Sequence, residues 1–145
     1  AHLEIFDAAD APPNSPEALA GISDDAWQRV RIAFHPALRL LKTEYSVAPL
    51  RRQLIEAQSS PINVLIPARD PQCQLLFRRD LQLFHEPISA GAYALLSALT
   101  RRVPLVHACE EAQAALPSEA ASIAESAASW FQSWAARGLI IRVDV

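Results

Sequence analysis

The chain has 145 residues, 51% of them hydrophobic and 20% charged, with a net charge of −3. That length suits one ordinary domain or one domain with an appendage, and the composition argues against wholesale disorder. No apolar run approaches the roughly 18 to 20 residues that a membrane span needs, and no basic-then-apolar signal opens the chain, so a cytoplasmic protein without membrane contact is expected.

The first segment, AHLEIFDAADAPP, reads as the tail of a helix running into a connection where Pro12, Pro13 and Pro16 bar continuation. The chain also contains no Met. Both features lead us to expect an N-terminal region ahead of residue 1. Charge is uneven at this end. Residues 1–28 carry six acids and no Lys or Arg, whereas residues 29–52 carry Arg29, Arg31, Arg39, Lys42, Arg51 and Arg52 against Glu44. Mutual neutralisation within one fold accounts for this more simply than a basic stripe for an acidic partner.

GISDDAWQRV has Ser23 as a candidate N-cap, with acids in the first turn. VRIAF alternates with period two and predicts a half-buried strand, which His35-Pro36 interrupts. ALRLLKTEY leans to strand, VAPLRRQLIEAQ to a short amphipathic helix with Leu50, Leu54 and Ile55 on one side, and INVLIP to a strand. ARDPQ reads as a turn. CQLLFRRDLQLFHE predicts a hairpin about Arg79-Asp80, with Leu75 and Phe77 on one face and Leu81 and Leu83 sharing a face on the returning strand.

Three helices follow. SAGAYALLSALTRR has Ser89 as a cap and a stripe of Tyr93, Leu96 and Leu99. LVHACEEAQAAL starts from Pro104. PSEAASIAESAASWFQSWAARG starts from Pro117 with Ser118 available as a cap, runs about five turns and stops at Gly138, with Ile123, Ala127, Trp130, Phe131 and Trp134 three or four apart. LIIRVDV closes the chain as a strand. The expected fold is α+β: residues 1–60 form a mixed connecting segment, and residues 61–145 form a small antiparallel sheet with a three-helix, winged-helix-like half.

Chemistry is sparse. His2, His35, His85 and His107 are scattered, Cys73 and Cys109 match no metal spacing, and three glycines build no phosphate loop. Glu110 and Glu111 are adjacent on a helix and do not face each other. A non-catalytic protein without cofactor or metal is therefore expected. Duplex DNA is a poor fit to a net-acidic chain whose middle helix carries those two acids. Only Arg78, Arg79, Arg101 and Arg102 offer a small positive cluster. An extended peptide fits better. It could add to a strand edge beside the long helix, where one or two of Trp130, Phe131 and Trp134 would serve as anchors unless all three are core.

Several stretches carry a resemblance: LEIFDAADAPP, FHPALRLLKTEYSV, LLFRRDLQLFHEPISAGAYALLSAL and ASWFQSWAARGLI. The most specific are Glu4, Phe6, Asp7, Ala8 and Asp10 to Pro13, and the run His35 to Leu41. Across essentially its whole length the chain resembles the C-terminal half of the bacterial HvfC/BufC family, which carries a DNA-binding label and is related to the methanobactin-biosynthesis partner MbnC. Phe77 stands where family members often have Trp. The resemblance implies a non-catalytic partner of a barrel-shaped, multinuclear-iron enzyme that modifies a ribosomal precursor peptide into a copper-binding product. It also implies a PqqD-like recognition fold in which the precursor's leader pairs with the strand Leu81 to His85 and lies against the helix Ser118 to Arg137. Leu81, Leu83, Phe84, Trp130 and Trp134 are then the candidate peptide-binding residues. A winged-helix transcriptional regulator is the alternative reading, and a purely structural assembly module is a third.

Overall fold

The structure is a computed structural model that describes Ile5, Ala26, residues 28–46, Arg52, Leu54, residues 69–79 and residues 81–145. In chain order the described elements are β1 (Arg31–Phe34), β2 (Arg39–Tyr45), β3 (Arg69–Arg79), β4 (Gln82–Ile88), α1 (Ala90–Thr100), α2 (Leu105–Ala115), a 3₁₀ turn (Pro117–Glu119), α3 (Ala120–Ala136) and β5 (Ile140–Asp144). Among these described elements the architecture is α+β, three helices with two small antiparallel sheets where one sheet was expected. One sheet pairs β1 with β5, and the other has the order β2-β3-β4. Both sheets join residues from the two sides of position 60.

His35-Pro36 ends β1 as the sequence suggests. The bend it makes is held by Leu38 N–H donating to His35 O at 2.9 Å and Ala37 N–H donating to His35 Nδ1 at 3.1 Å. It carries the chain from one sheet into the other. Within ARDPQ, residues 69–72 form the start of β3, not a turn. Asp70 and Pro71 lie where the β2–β3 register slips, between the pairs Thr43↔Gln72 and Tyr45↔Arg69. Two residues there oppose one, so the N–H that proline lacks is not required by the ladder. The segments around Ser23, Leu50, Ile55 and Ile62 lie outside the described residues.

Helix punctuation largely follows the sequence, with two corrections. Ser89 Oγ accepts from Ala92 N–H at 3.1 Å and caps α1. Gly138 takes φ 70° just past α3. Pro104, however, precedes α2 as its N-cap, and Leu105 N–H donates to Val30 O at 2.8 Å instead. Ser118 caps nothing. It sits inside the 3₁₀ turn, and α3 begins after Glu119 with no side-chain cap. At the end of α1, Arg102 takes the left-handed position (φ 65°) normally given to glycine. Its guanidinium pairs with Asp144 on β5, and its carbonyl accepts from Arg31 on β1, which ties the helix end to the β1–β5 sheet.

The main core lies between the helices and one face of the three-stranded sheet. Leu75 and Phe77 of β3 meet Leu95, Leu96, Leu99, Ile123 and Trp134, with Val30, Ile32 and Ile140 from the other sheet. The opposite face of β3 is also covered, since Leu76 is 1% exposed in a second cluster with Ala37 and Ile5. Burial on both faces explains why residues 75–77 read as a continuous apolar run.

Ile123 and Trp130 of α3 pack tightly over Gly91 of α1. A Cβ added there would lie 2.7 Å from Ile123 Cγ1 and 3.2 Å from Trp130 Cη2. Gly91→Ala is therefore expected to lose about 1–2 kcal/mol in urea unfolding, because overpacking outweighs the roughly 1 kcal/mol by which alanine favours a helix.

Candidate functional site

Strand β4 is the last strand of its sheet among the described residues, and only β3 pairs with it. The register runs unbroken from Arg79↔Gln82 to Cys73↔Ile88, across a two-residue connection. In a two-residue hairpin the closing pair exchanges both backbone hydrogen bonds, and antiparallel pairs then alternate. Gln82, Phe84, Glu86 and Ile88 thus turn their peptide groups toward β3. Leu83, His85 and Pro87 turn theirs outward. Proline is tolerated in β4 for that reason, because the N–H it lacks would have faced away from the ladder.

The other edge of this sheet, β2, is differently built. It carries exposed Lys42 and Glu44 and the register slip before Tyr45. Charged residues and bulges blunt an edge against pairing. The outer row of β4 has neither before Pro87.

Side chains alternate across the strand. Phe84, Glu86 and Ile88 lie on the helix side. The Phe84 ring stacks on Phe77 at 5.1 Å between centroids, and the Arg79 guanidinium sits 5.2 Å over it. Glu86 pairs with Arg137 at the end of α3. Leu83 lies on the opposite face, against the cluster of Leu76, Ala37 and Ile5. Leu83 and Phe84 therefore cannot share one pocket, and a guest strand would meet them from its two different faces.

Leu81 is not in the strand. It occupies the turn with φ 62° and is 76% exposed. The alternation of the sequence placed it with Leu83, but the chain reverses one residue later than that pattern assumes. A leucine held in the left-handed region carries a strain of order 1 kcal/mol.

The tryptophans divide. Trp134 is 3% exposed, sealed by Phe34 of β1 at 6.1 Å and Phe131 at 5.2 Å, both edge-on. It is a core residue. Trp130 stacks on Trp134 at 6.5 Å, touches the first turn of α1 and stays half-buried. Of the five candidates, Leu83 and Phe84 sit on the open strand, Leu81 sits at its tip, Trp130 reaches the surface and Trp134 does not. Glu86, Arg137 and Pro87 are the residues at this edge that hydrophobic pattern did not single out. Proline within a strand run was the available signal for an edge.

Elsewhere, a cavity of about 270 Å³ opens between the β1–β2 bend and the end of α1, lined in part by Phe34, His35, Leu38, Arg39, Thr100 and Arg102. Asp144, beside it, titrates below the usual carboxylate range. Partial burial acts to raise its pKa, but the hydrogen bonds and charges of Arg102 and Arg142 outweigh that. Burial, aided by the nearby Glu110 carboxylate, pushes the Cys109 thiol up. The protonated form is the poor nucleophile. Among the described residues no group of three or more His, Cys, Asp or Glu could hold a metal ion, and no helix is long and apolar enough to cross a membrane. The four clustered arginines of the sequence do not form one patch. Arg78 is buried, Arg79 covers Phe84, Arg101 pairs with Glu111 and Arg102 pairs with Asp144. Comparison of the chain with family models, with curated proteins and with solved structures finds no match.

Proposed function

We propose that this chain is a non-catalytic adaptor that captures an extended peptide by strand addition at β4 and presents it to a modifying enzyme. The observation that carries the reading is the place of β4 as the last strand of its sheet among the described residues, bordered by α3 through the Glu86–Arg137 pair. Strand addition takes its affinity from main-chain hydrogen bonds and its selectivity from alternate side-chain contacts. On one flank the guest meets the Phe84 ring, to which the resemblance adds the exposed part of Trp130. On the other it meets Leu83. The resemblance to the HvfC/BufC family supplies the partners: a precursor leader peptide as guest and a multinuclear-iron barrel enzyme as the protein that acts on it. A PqqD-like, winged-helix-like arrangement agrees with the run of three helices. The acids Glu110 and Glu111, both exposed on α2, favour this reading over duplex DNA.

The test is co-purification with the neighbouring iron enzyme, followed by calorimetric titration of the leader encoded beside it. Phe84→Ala removes the ring that a guest strand would meet and leaves the backbone bonds of the β3 ladder in place. It is expected to weaken leader binding by roughly tenfold or more, at unchanged far-UV circular dichroism. No binding to wild type in either step ends the adaptor reading.

A further inference from the structure

Among the described residues, β1 is the only strand paired with β5. The direction of the β5 peptide groups follows from that pairing. His35 N–H donates to Leu139 O at 2.8 Å, toward β5, while on the other side of β1 Val30 O accepts from Leu105 N–H at 2.8 Å. Peptide groups alternate along a strand, so Arg31 and Ala33 face β5 as His35 does. Their partners Asp144 and Arg142 are engaged in the ladder, and Val143 between them turns its N–H and C=O outward.

A strand edge is shielded from further pairing by Lys, by Pro or by a bulge. The register slip of this sheet lies at the start of β5, between the pairs of Ile140 and Arg142. Residues 142–145 hold neither Lys nor Pro. Val143 is half-buried and Val145 is 65% exposed. Both are β-branched, which suits them to a strand.

We infer that β5 joins β5 of a second copy of the chain, antiparallel and centred on Val143. The strand is complementary to itself in that register. In a two-fold antiparallel pair the axis passes through one residue and its own copy. Centred on Val143, the two copies of Val143 exchange both backbone bonds, and Arg142 of each copy stands opposite Asp144 of the other. Opposite charges directly across two strands are favourable and like charges are not. A centre moved by one residue would set Arg142 against Arg142, or Asp144 against Asp144.

The side chains fit the same arrangement. Val143 packs on the core side of the sheet. Arg142 and Asp144, one residue to either side, lie on the opposite face. There Arg142 Nε donates to Asp144 Oδ1 at 2.8 Å within the chain, and the Arg142 side chain is mostly exposed. In the pair each guanidinium would stand between two carboxylates, its own and the other copy's. The product is a four-stranded sheet of order β1-β5-β5-β1. This contact lies apart from β4, so it goes beyond peptide capture and is tested separately from it.

Sedimentation velocity at about 100 µM is expected to show a dimer that dissociates on dilution. Arg142→Glu sets acid against acid in both cross-strand pairs and is expected to weaken self-association roughly tenfold or more. Arg142→Lys keeps the charge and is expected to remain dimeric. Isotope-filtered NMR on mixed labelled and unlabelled chains reads the register. An intermolecular contact is expected between the Hα atoms of Arg142 and Asp144, a pair that is not hydrogen-bonded across the new joint. In hydrogen exchange, the Val143 amide is expected to gain about tenfold protection or more as the chain is concentrated, while those of Arg142 and Asp144, held by β1, stay constant. A wild type that is monomeric at that concentration would overturn the inference. So would an Arg142→Glu variant paired as tightly as wild type, a monomeric Arg142→Lys variant, or a dimer without the Arg142–Asp144 contact. A Val143 amide already protected in dilute monomer would mean an edge covered by its own chain, and would overturn it too.

Discussion

Trp134→Ala is expected to cost about 3–5 kcal/mol in urea unfolding, and Trp130→Ala about 1–2 kcal/mol. The two indoles are one helical turn apart and stacked at 6.5 Å, yet their positions differ. Trp134 is enclosed by Phe34, Phe131 and Trp130, so truncation leaves a cavity that helix and strand cannot both close. Trp130 already shows part of its ring to water, and water can take up the vacated space. The difference bears on the peptide capture proposed above. Trp134→Ala should weaken peptide capture only in proportion to the unfolded fraction, so binding recovers when temperature is lowered. Trp130→Ala should weaken capture in a protein that remains folded. Equal destabilisation by the two substitutions would remove the distinction between a core indole and a surface one.

Leu76→Ala is expected to destabilise the chain by about 2–5 kcal/mol, as much as Leu75→Ala. A sheet with helices on one face and water on the other would give a different result: the residue on the wet side would cost less than about 1 kcal/mol. Leu75 and Leu76 are adjacent and point to opposite faces, and both are buried, at 0% and 1% exposure. Leu75 packs into the main core. Leu76 packs with Ala37 and with Ile5, from the start of the chain. Paired chemical denaturation curves decide the matter. A small Leu76 effect beside a large Leu75 effect would mean that the Ile5 cover is not in place.

What the sequence disclosed depended on whether the deciding physics was local. The start of α1 and the end of α3 were legible because Ser89 and Gly138 act on backbone groups within a few residues of themselves, whereas Pro104 lies one residue ahead of α2 and Pro117 opens a 3₁₀ turn ahead of α3. The β3–β4 hairpin was legible from alternation, with its turn displaced because no glycine marks residue 81. Pairing of β1 with β5 was not legible. Arg31 and Asp144 are partners at opposite ends of the chain, and no local pattern encodes that meeting. The tryptophans failed for a related reason. Trp130 and Trp134 share one helical stripe, and only the arrival of Phe34 from a distant strand seals one and spares the other. Leu83 and Phe84 were legible as strand residues, but the place of β4 as the last strand of its sheet among the described residues was not.

The union of β1 with β5 also sets a timetable. Residue 31 leaves the ribosome more than a hundred residues before residue 144, its eventual companion. Until residues 140–144 are made, Ile32 lacks β5 beside it and Arg102 lacks the Asp144 carboxylate. The helices can coil early, but their anchorage comes last. A nascent chain therefore carries an adhesive segment uncovered for as long as the residues between the two strands take to make, and a product terminated before residue 140 would be a substrate for holding chaperones and not a smaller working domain.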